Sequence, residues 1–324
     1  VFASTDSILI AKAGRFMVGF GSAFAYVGVL KIANLWLPRK YFAMVAGFCT
    51  ALGMIGAMSG SILMTKFISV TGWQQSFYSS AFIGVILAIV LWAVIRDKSD
   101  REITKLGRDS HRGMTLWSEL LEVIKSKQLW INGIIGCLTF LPLTAFAEFW
   151  AVEYLKKLGL DKEYAAIGSS MVFLGYAIGG PLWGTVSDLV KSRKKPLMFG
   201  AITSAATAFA LLHTDFKSVY MLFAVLFILG FFASAQILVF AVGEDTCRPG
   251  MSATTVSFTN FLVMLGGMRL QPLVGDIIDR LQTVNAQGEV MYSIEQFRTA
   301  LLIMPLGLLL AAILCFFLRE TYKE

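Results

Sequence analysis

Four charged side chains stand well inside apolar runs: Arg15, Lys31, Glu148 and Arg269. A charge within hydrocarbon is costly and rare, so each is a candidate for work on a substrate or a proton. Arg15 is followed by Gly19, Ser22 and Tyr26, a spacing that puts all four on one helix face. Counted along ideal helices, Arg15 lies about seven residues, Glu148 about four and Arg269 about six from the same end of their runs, within roughly 5 Å of one another in height. An arginine left unpaired in that layer suits a carboxylate or another anionic group, while Glu148 suits taking and releasing a proton. The competing reading is an outer gate or a structural ion pair with no substrate contact, and both stay open for Glu148 and Arg269. Lys31, near the end of its run, suits snorkelling to the interface.

Polar neighbours fill out the same region. Gln236, Asn260 and Trp150 are expected in contact with a ligand or with neighbouring helices; Asn260, Gly267 and Gln271 share one face, and Thr144 lies in the run that holds Glu148 and Trp150. Gly179, Gly180 and Pro181 read as a kink or a close helix contact. Other chemistry is absent from the pattern. Cys49, Cys137, Cys247 and Cys315 are single and distant, and His111 and His213 fall in predicted loops. With no CxxC, HExxH or GxxxxGK[ST] pattern, the sequence predicts no catalytic residues, no metal site, no cofactor and no enzyme.

The elements that position these residues follow from composition. Of 324 residues, 56% are hydrophobic and 15% charged, well below the quarter or so charged of an ordinary soluble chain. The apolar residues gather into nine runs, near 8–35, 42–65, 75–95, 130–152, 165–187, 196–213, 219–242, 253–275 and 299–318. About 20 such residues cross a hydrocarbon core of roughly 30 Å, and none shows the ten-residue alternation of a membrane barrel. The expected fold class is an all-α polytopic membrane protein. If the 96–128 loop is cytoplasmic, alternation gives the inside segments seventeen basic residues and the outside segments eight, the orientation that basic residues favour, with a cytoplasmic C-terminus. The net charge of +7 is therefore topological and gives nucleic acid no support.

A shift of 211 aligns the first two runs with the seventh and eighth: Phe16 with Phe227, Gly19 with Gly230, Phe20 with Phe231, Pro38 with Pro249, Val45 with Val256 and Gly56 with Gly267. It also pairs Gln236 with Ala25, next to Tyr26. The shift predicts partners for the fourth and fifth runs before residue 1. The expected organisation is thus a partial bundle over 1–95, a linker over 96–128 and a six-helix bundle over 129–324, with three helices preceding the chain. Within the linker, TLWSELLEVIKSK reads as a short amphipathic helix lying along the membrane.

The turn GTVSDLVKSRKK carries an acid and several bases between two spans, which suits a gate clamped by charge pairs. Here the chain resembles the major facilitator superfamily, whose corresponding loops carry G-x-x-x-D-x-x-x-x-R-[KR]; Gly184, Asp188, Arg193 and Lys194 match it. The R-x-x-x-G-x-G pattern common in that family's fourth helix is matched by Arg15, Gly19 and Gly21, and LWLPRKYFAMVAG and GWQQSF follow in the family's order. The resemblance implies two pseudo-symmetric bundles with nine of twelve transmembrane helices present, as helices four to twelve. The proline of the drug-antiporter fifth-helix pattern is missing from GMIGAMSGSIL. That departure favours uptake of a small polar solute, and the mid-span charges, mostly cationic with a single acid, favour a small anionic or zwitterionic metabolite, an organic acid or amino acid, taken up with protons by alternating access at a midplane site. Efflux of a drug or metabolite by antiport is the alternative. Arg15, Tyr26, Glu148, Trp150, Gln236, Asn260 and Arg269 are expected at the substrate or coupling site, and Gly184, Asp188, Arg193 and Lys194 at a cytoplasmic gate. The expected partners are the small-molecule substrate, protons and lipid, with the chain a monomer in a bacterial inner membrane.

Overall fold

Backbone hydrogen bonding decides the architecture. Inside a bilayer no water satisfies an exposed peptide group, so each span must close its hydrogen bonds internally. The computed structural model describes residues 2–5, 7–38, 41–95, 116–248, 251–284 and 290–322. Helix α1 (Ile8–Trp36), α2 (Phe42–Thr71) and α3 (Trp73–Val94) come first. After α4 (Leu116–Lys125), α5 (Lys127–Thr139) runs through a π-helical segment, Pro142–Trp150, into α6 (Ala151–Lys157). Next are α7 (Lys162–Val190), α8 (Lys194–His213) and α9 (Val219–Ala233). A 3₁₀ segment, Ser234–Ile237, joins α9 to α10 (Leu238–Thr246), and α11 (Ser252–Arg280), α12 (Ile294–Leu301) and α13 (Ile303–Phe317) complete the chain. A two-residue antiparallel pair, Thr283–Val284 with Val290–Met291, sits in the α11–α12 connection.

Among the described residues eight helical stretches are long and apolar enough to cross a membrane, and α2 adds a shorter apolar stretch, Met44–Met58. The protein is an all-α polytopic membrane protein. Its helix ends agree with the repeat: the 211-residue shift carries α1 onto 219–247 and α2 onto 253–282, against the observed Val219–Thr246 and Ser252–Arg280. Local chemistry sets other ends. Gly72, at φ +83°, closes α2 and opens α3 with a backbone that an L side chain rarely adopts. Asp161 caps α7 by accepting from the Tyr164 N–H at 2.9 Å, and Ser293 and Gln296 form a capping box at α12.

Lipid tails are as apolar as leucine, so helices in a membrane associate by close packing over small residues rather than by hydrophobic burial. Gly47 on α2 meets Gly180 on α7 so closely that a Cβ at Gly47 would lie 2.7 Å from the Gly180 carbonyl oxygen. Gly175 on α7 and Gly230 on α9 approach reciprocally: a Cβ on the first would stand 2.8 Å from the Phe231 nitrogen, and on the second 2.8 Å from the Val172 carbonyl carbon. The core sits among α5 through α13, and Leu30 of α1 and Ala46 of α2 reach into it. By contrast, α3 contributes one buried residue, Ser76.

The expected amphipathic helix is present as α4. Trp117, Leu121 and Ile124 form an exposed apolar face, while Glu119 and Val123 pack inward, with Thr254 of α11 donating to the Glu119 carboxylate at 2.8 Å. The rest of the expected linker, 96–115, lies outside the described residues. α4, the α7–α8 turn and the C-terminal tail lie at one end of the bundle, the linker end.

Candidate functional site

Among the described residues three spans lose α-helical regularity within their length: Ile294–Phe317 at the turn residue Leu302, and two beside whose breaks polar side chains gather. In the span Val219–Thr246 the break is the 3₁₀ segment Ser234–Ile237. It presents Gln236, 2% exposed, to α7. The Tyr176 hydroxyl of α7 donates to Gln236 Oε1 at 2.6 Å, and Gln236 Nε2 has no hydrogen-bond partner. A buried carboxamide with two idle N–H groups carries the desolvation cost of both, which an acceptor brought by a ligand would relieve.

The wall around this amide comes from both the early and the late helices. The Tyr26 ring of α1 packs edge-on against Phe240, one turn beyond Gln236, with centroids 5.0 Å apart. The Tyr26 and Thr50 hydroxyls lie 3.4 Å apart, which ties α1 to α2. Phe140 packs edge-on against Tyr176 at 6.0 Å. Aromatic faces and hydroxyls around one amide offer apolar contact and hydrogen bonding at one place.

In the second broken span the π segment changes what the sequence count assumed. Each π turn takes up one extra residue, so side chains rotate off the α-helical register. Glu148 is exposed, and among the described residues no hydrogen bond or ion pair reaches its carboxylate. The expected neutralisation of an arginine by Glu148 is therefore not formed. Arg15 and Arg269 are exposed on α1 and α11. Trp150 is half-buried and committed to α11: its indole N–H donates to the Gln271 carbonyl at 3.3 Å, and the Gln271 amide donates back to the Thr144 carbonyl. This reciprocal tie is the interhelical hydrogen bonding that was open for Trp150, Thr144 and Gln271. Asn260 is half-buried on α11 with no hydrogen bond among the described residues. The structure thus brings Tyr26 and Gln236 near one another through Phe240 and Tyr176, and ties Trp150 to Gln271.

At the linker end two of the expected gate residues, Asp188 and Arg193, enter a charge network. Arg193, its side chain 6% exposed, donates to Asp188 at 2.7 Å, Asp245 at 3.2 Å and the Ser187 hydroxyl at 3.0 Å. The C-terminal tail closes over it. Glu320 accepts from the Ser192 hydroxyl and from the Arg193 backbone N–H at 2.8 Å, and the Arg193 guanidinium lies 5.0 Å from the Tyr322 ring centroid. Burial pushes the Glu320 carboxyl up, but the hydrogen bonds from Ser192 and the backbone of Arg193, Tyr322 and Lys194 outweigh it and hold the group below its ordinary value. Gly184 is buried in α7, while Lys194 turns away to donate to the Phe316 carbonyl at 3.0 Å.

Sequence reasoning missed Tyr176, Asp245, Glu320 and Tyr322. Asp245 had a visible signal, an acid in the last turn of a helix that faces a basic loop. Nothing local marked Tyr176, whose partner is 60 residues away.

Residues 1–269 and 149–324 match the family model described as Major Facilitator Superfamily. The chain is 24% identical over 210 residues to the Escherichia coli protein named "Probable L-galactonate transporter", covering 59% of this chain and 46% of that protein. It is 21% identical over 321 residues to the E. coli "Probable galactarate/D-glucarate transporter GudP", covering 90% and 70%. The crystal structure of the E. coli fucose:proton symporter superposes with a TM-score of 0.66 at 15% identity, covering 92% of this chain and 73% of that one. The chain spans about half the length of several curated relatives that it matches.

Proposed function

The chain belongs to the Major Facilitator Superfamily, and from that premise we propose that it is a secondary active transporter of a small anionic or zwitterionic metabolite. An organic acid is favoured, because relatives are named for L-galactonate and galactarate/D-glucarate transport. One observation carries the reading: the buried Gln236 amide, without an acceptor on Nε2, beside the break of a membrane span. A carboxylate or hydroxyl oxygen of the substrate accepts those N–H groups, and Tyr176 fixes the amide through its carbonyl oxygen. Tyr26 closes the pocket from α1, so movement of the early helices against the late ones opens and closes it, which is alternating access.

In this reading uptake is proton-coupled. Glu148 takes and releases the proton, and Arg15 and Arg269 attract the anion into the water-filled approach. Asn260 lines the path on α11. Arg193, Asp188 and Asp245 hold the gate on the cytoplasmic side, which is the linker end, together with the C-terminus. The helices of 1–95 and 129–324 act as two bundles joined by 96–128, in a monomer of a bacterial inner membrane.

Counterflow tests the site. Liposomes holding the full-length protein and loaded with unlabelled galactarate, galactonate or an amino acid panel should accumulate the labelled substrate, and Gln236→Leu should abolish that exchange. Counterflow that persists in Gln236→Leu would remove the amide from the site.

A further inference from the structure

A groove of about 440 Å³ opens on the outer face of α7, α8 and α9 near the linker end, within the size range of specific ligand sites. Val186 and Val190 of α7 and Phe199 of α8 line its sides, and Trp183 and Phe231 lie beneath. Val190 is 49% exposed and Phe199 54%. The floor offers no free hydrogen-bonding group, because the Trp183 indole N–H already donates to the Phe231 carbonyl at 2.8 Å. Among the residues that line the groove, Lys195 is the one charged group. It is exposed in the first turn of α8, and among the described residues no ion pair includes it.

This combination is selective. The trough is apolar along the bilayer direction and ends at a cation where the helices meet water. The adjacent helix start does not compete for an anion, since Glu320 already accepts from the Arg193 and Lys194 backbone N–H groups. Lys194 is bound to the Phe316 carbonyl. Basic pockets between spans hold anionic head groups, whereas a zwitterionic head group would bring its own cation against Lys195. We infer that the groove is a binding site for an anionic phospholipid, with an acyl chain along α7 and the phosphate against Lys195.

The test compares phosphatidylglycerol, phosphatidylcholine and free glycerol 3-phosphate on the full-length protein in detergent, read by native mass spectrometry and by melting temperature. Phosphatidylglycerol should be retained in preference to phosphatidylcholine and should raise the melting temperature, and glycerol 3-phosphate should do neither. Lys195→Gln should cut the preference about fivefold, the equivalent of the ~1 kcal/mol a membrane-surface lysine contributes. Val186→Trp, which fills the trough and leaves the cation, should lower retention of both lipids, with helicity by circular dichroism confirming the fold. Equal retention of the two phospholipids, an undiminished preference in Lys195→Gln, or an equal response to glycerol 3-phosphate would overturn the assignment.

Discussion

Tyr176 donates its hydroxyl to Gln236 Oε1 at 2.6 Å and so fixes, from one span, the orientation of an amide held at the break of another. The bond uses the carbonyl end of the amide and leaves the N–H end for a ligand. Stability and transport should separate when its two partners are removed in turn. Gln236→Leu alone leaves the buried Tyr176 hydroxyl without its acceptor and should cost about 1–3 kcal/mol. Adding Tyr176→Phe removes both partners, so the double variant should recover most of that loss. It should still fail to bind substrate. Thermal melts and ligand binding on the two variants check this; a double variant that binds like the parent would break the link.

The Arg193 network should be the costliest place to remove a charge. Arg193→Ala leaves Asp188 and Asp245 without their shared cation, and loss of one partner from a buried pair costs about 3–5 kcal/mol. Denaturation of the purified protein should show a drop of that order, together with faster opening of the linker end to hydrogen exchange.

Acid should loosen the same end through Glu320. Its carboxyl is held below its ordinary value in the folded protein, so its contribution is complete above the ordinary carboxylate range. That contribution is lost as pH falls through the lowered value. Glu320→Gln should flatten this acid-side loss in a melting-temperature profile. An unchanged profile would show that the tail's carboxylate does not contribute.

Two glycines separate packing from composition. A Cβ on Gly47 would stand 2.7–2.8 Å from the backbone of Gly180 and Pro181, whereas one on Gly56 would meet nothing within 4 Å. Gly47→Ala should force α2 off α7 and cost about 1–3 kcal/mol. Gly56→Ala should be neutral or gain up to about 1 kcal/mol from helix propensity. Melting temperatures of the two variants, measured side by side, decide it.

Much of the fold was legible because span length and repeat spacing are long-range regularities. The 211-residue shift, read from a few matches such as Gly19 with Gly230 and Pro38 with Pro249, gives helix ends within two residues of those observed. The breaks were not legible. A slip of the hydrogen-bond ladder at Pro142–Trp150 or Ser234–Ile237 changes no residue types, yet it re-aims every side chain after it. Tyr26 and Gln236, aligned by the repeat, fall near each other, while the depth count that joined Glu148 to the arginines assumed an ideal helix across Pro142–Trp150 and produces no pair among the described residues. Tyr176 was hidden for another reason: a tyrosine in an apolar helix looks like packing until its partner is known. Glu320 and Tyr322 followed the last apolar run and read as a tail, although they cover Arg193.

Glu148 is the assignment on which proton coupling rests. Glu148→Gln should keep counterflow, which needs no net proton movement, and lose accumulation driven by a pH gradient. Equal accumulation in the variant and the parent would remove Glu148 from coupling.

The most direct measurement is uptake into proteoliposomes of the full-length protein under an imposed gradient, alkaline inside, with a panel of labelled sugar acids, other organic acids and amino acids. The account predicts saturable accumulation of at least one anionic or zwitterionic member, collapsing when the gradient is dissipated and absent in Gln236→Leu. No gradient-dependent uptake of any member, in protein that is folded and correctly inserted, would contradict it.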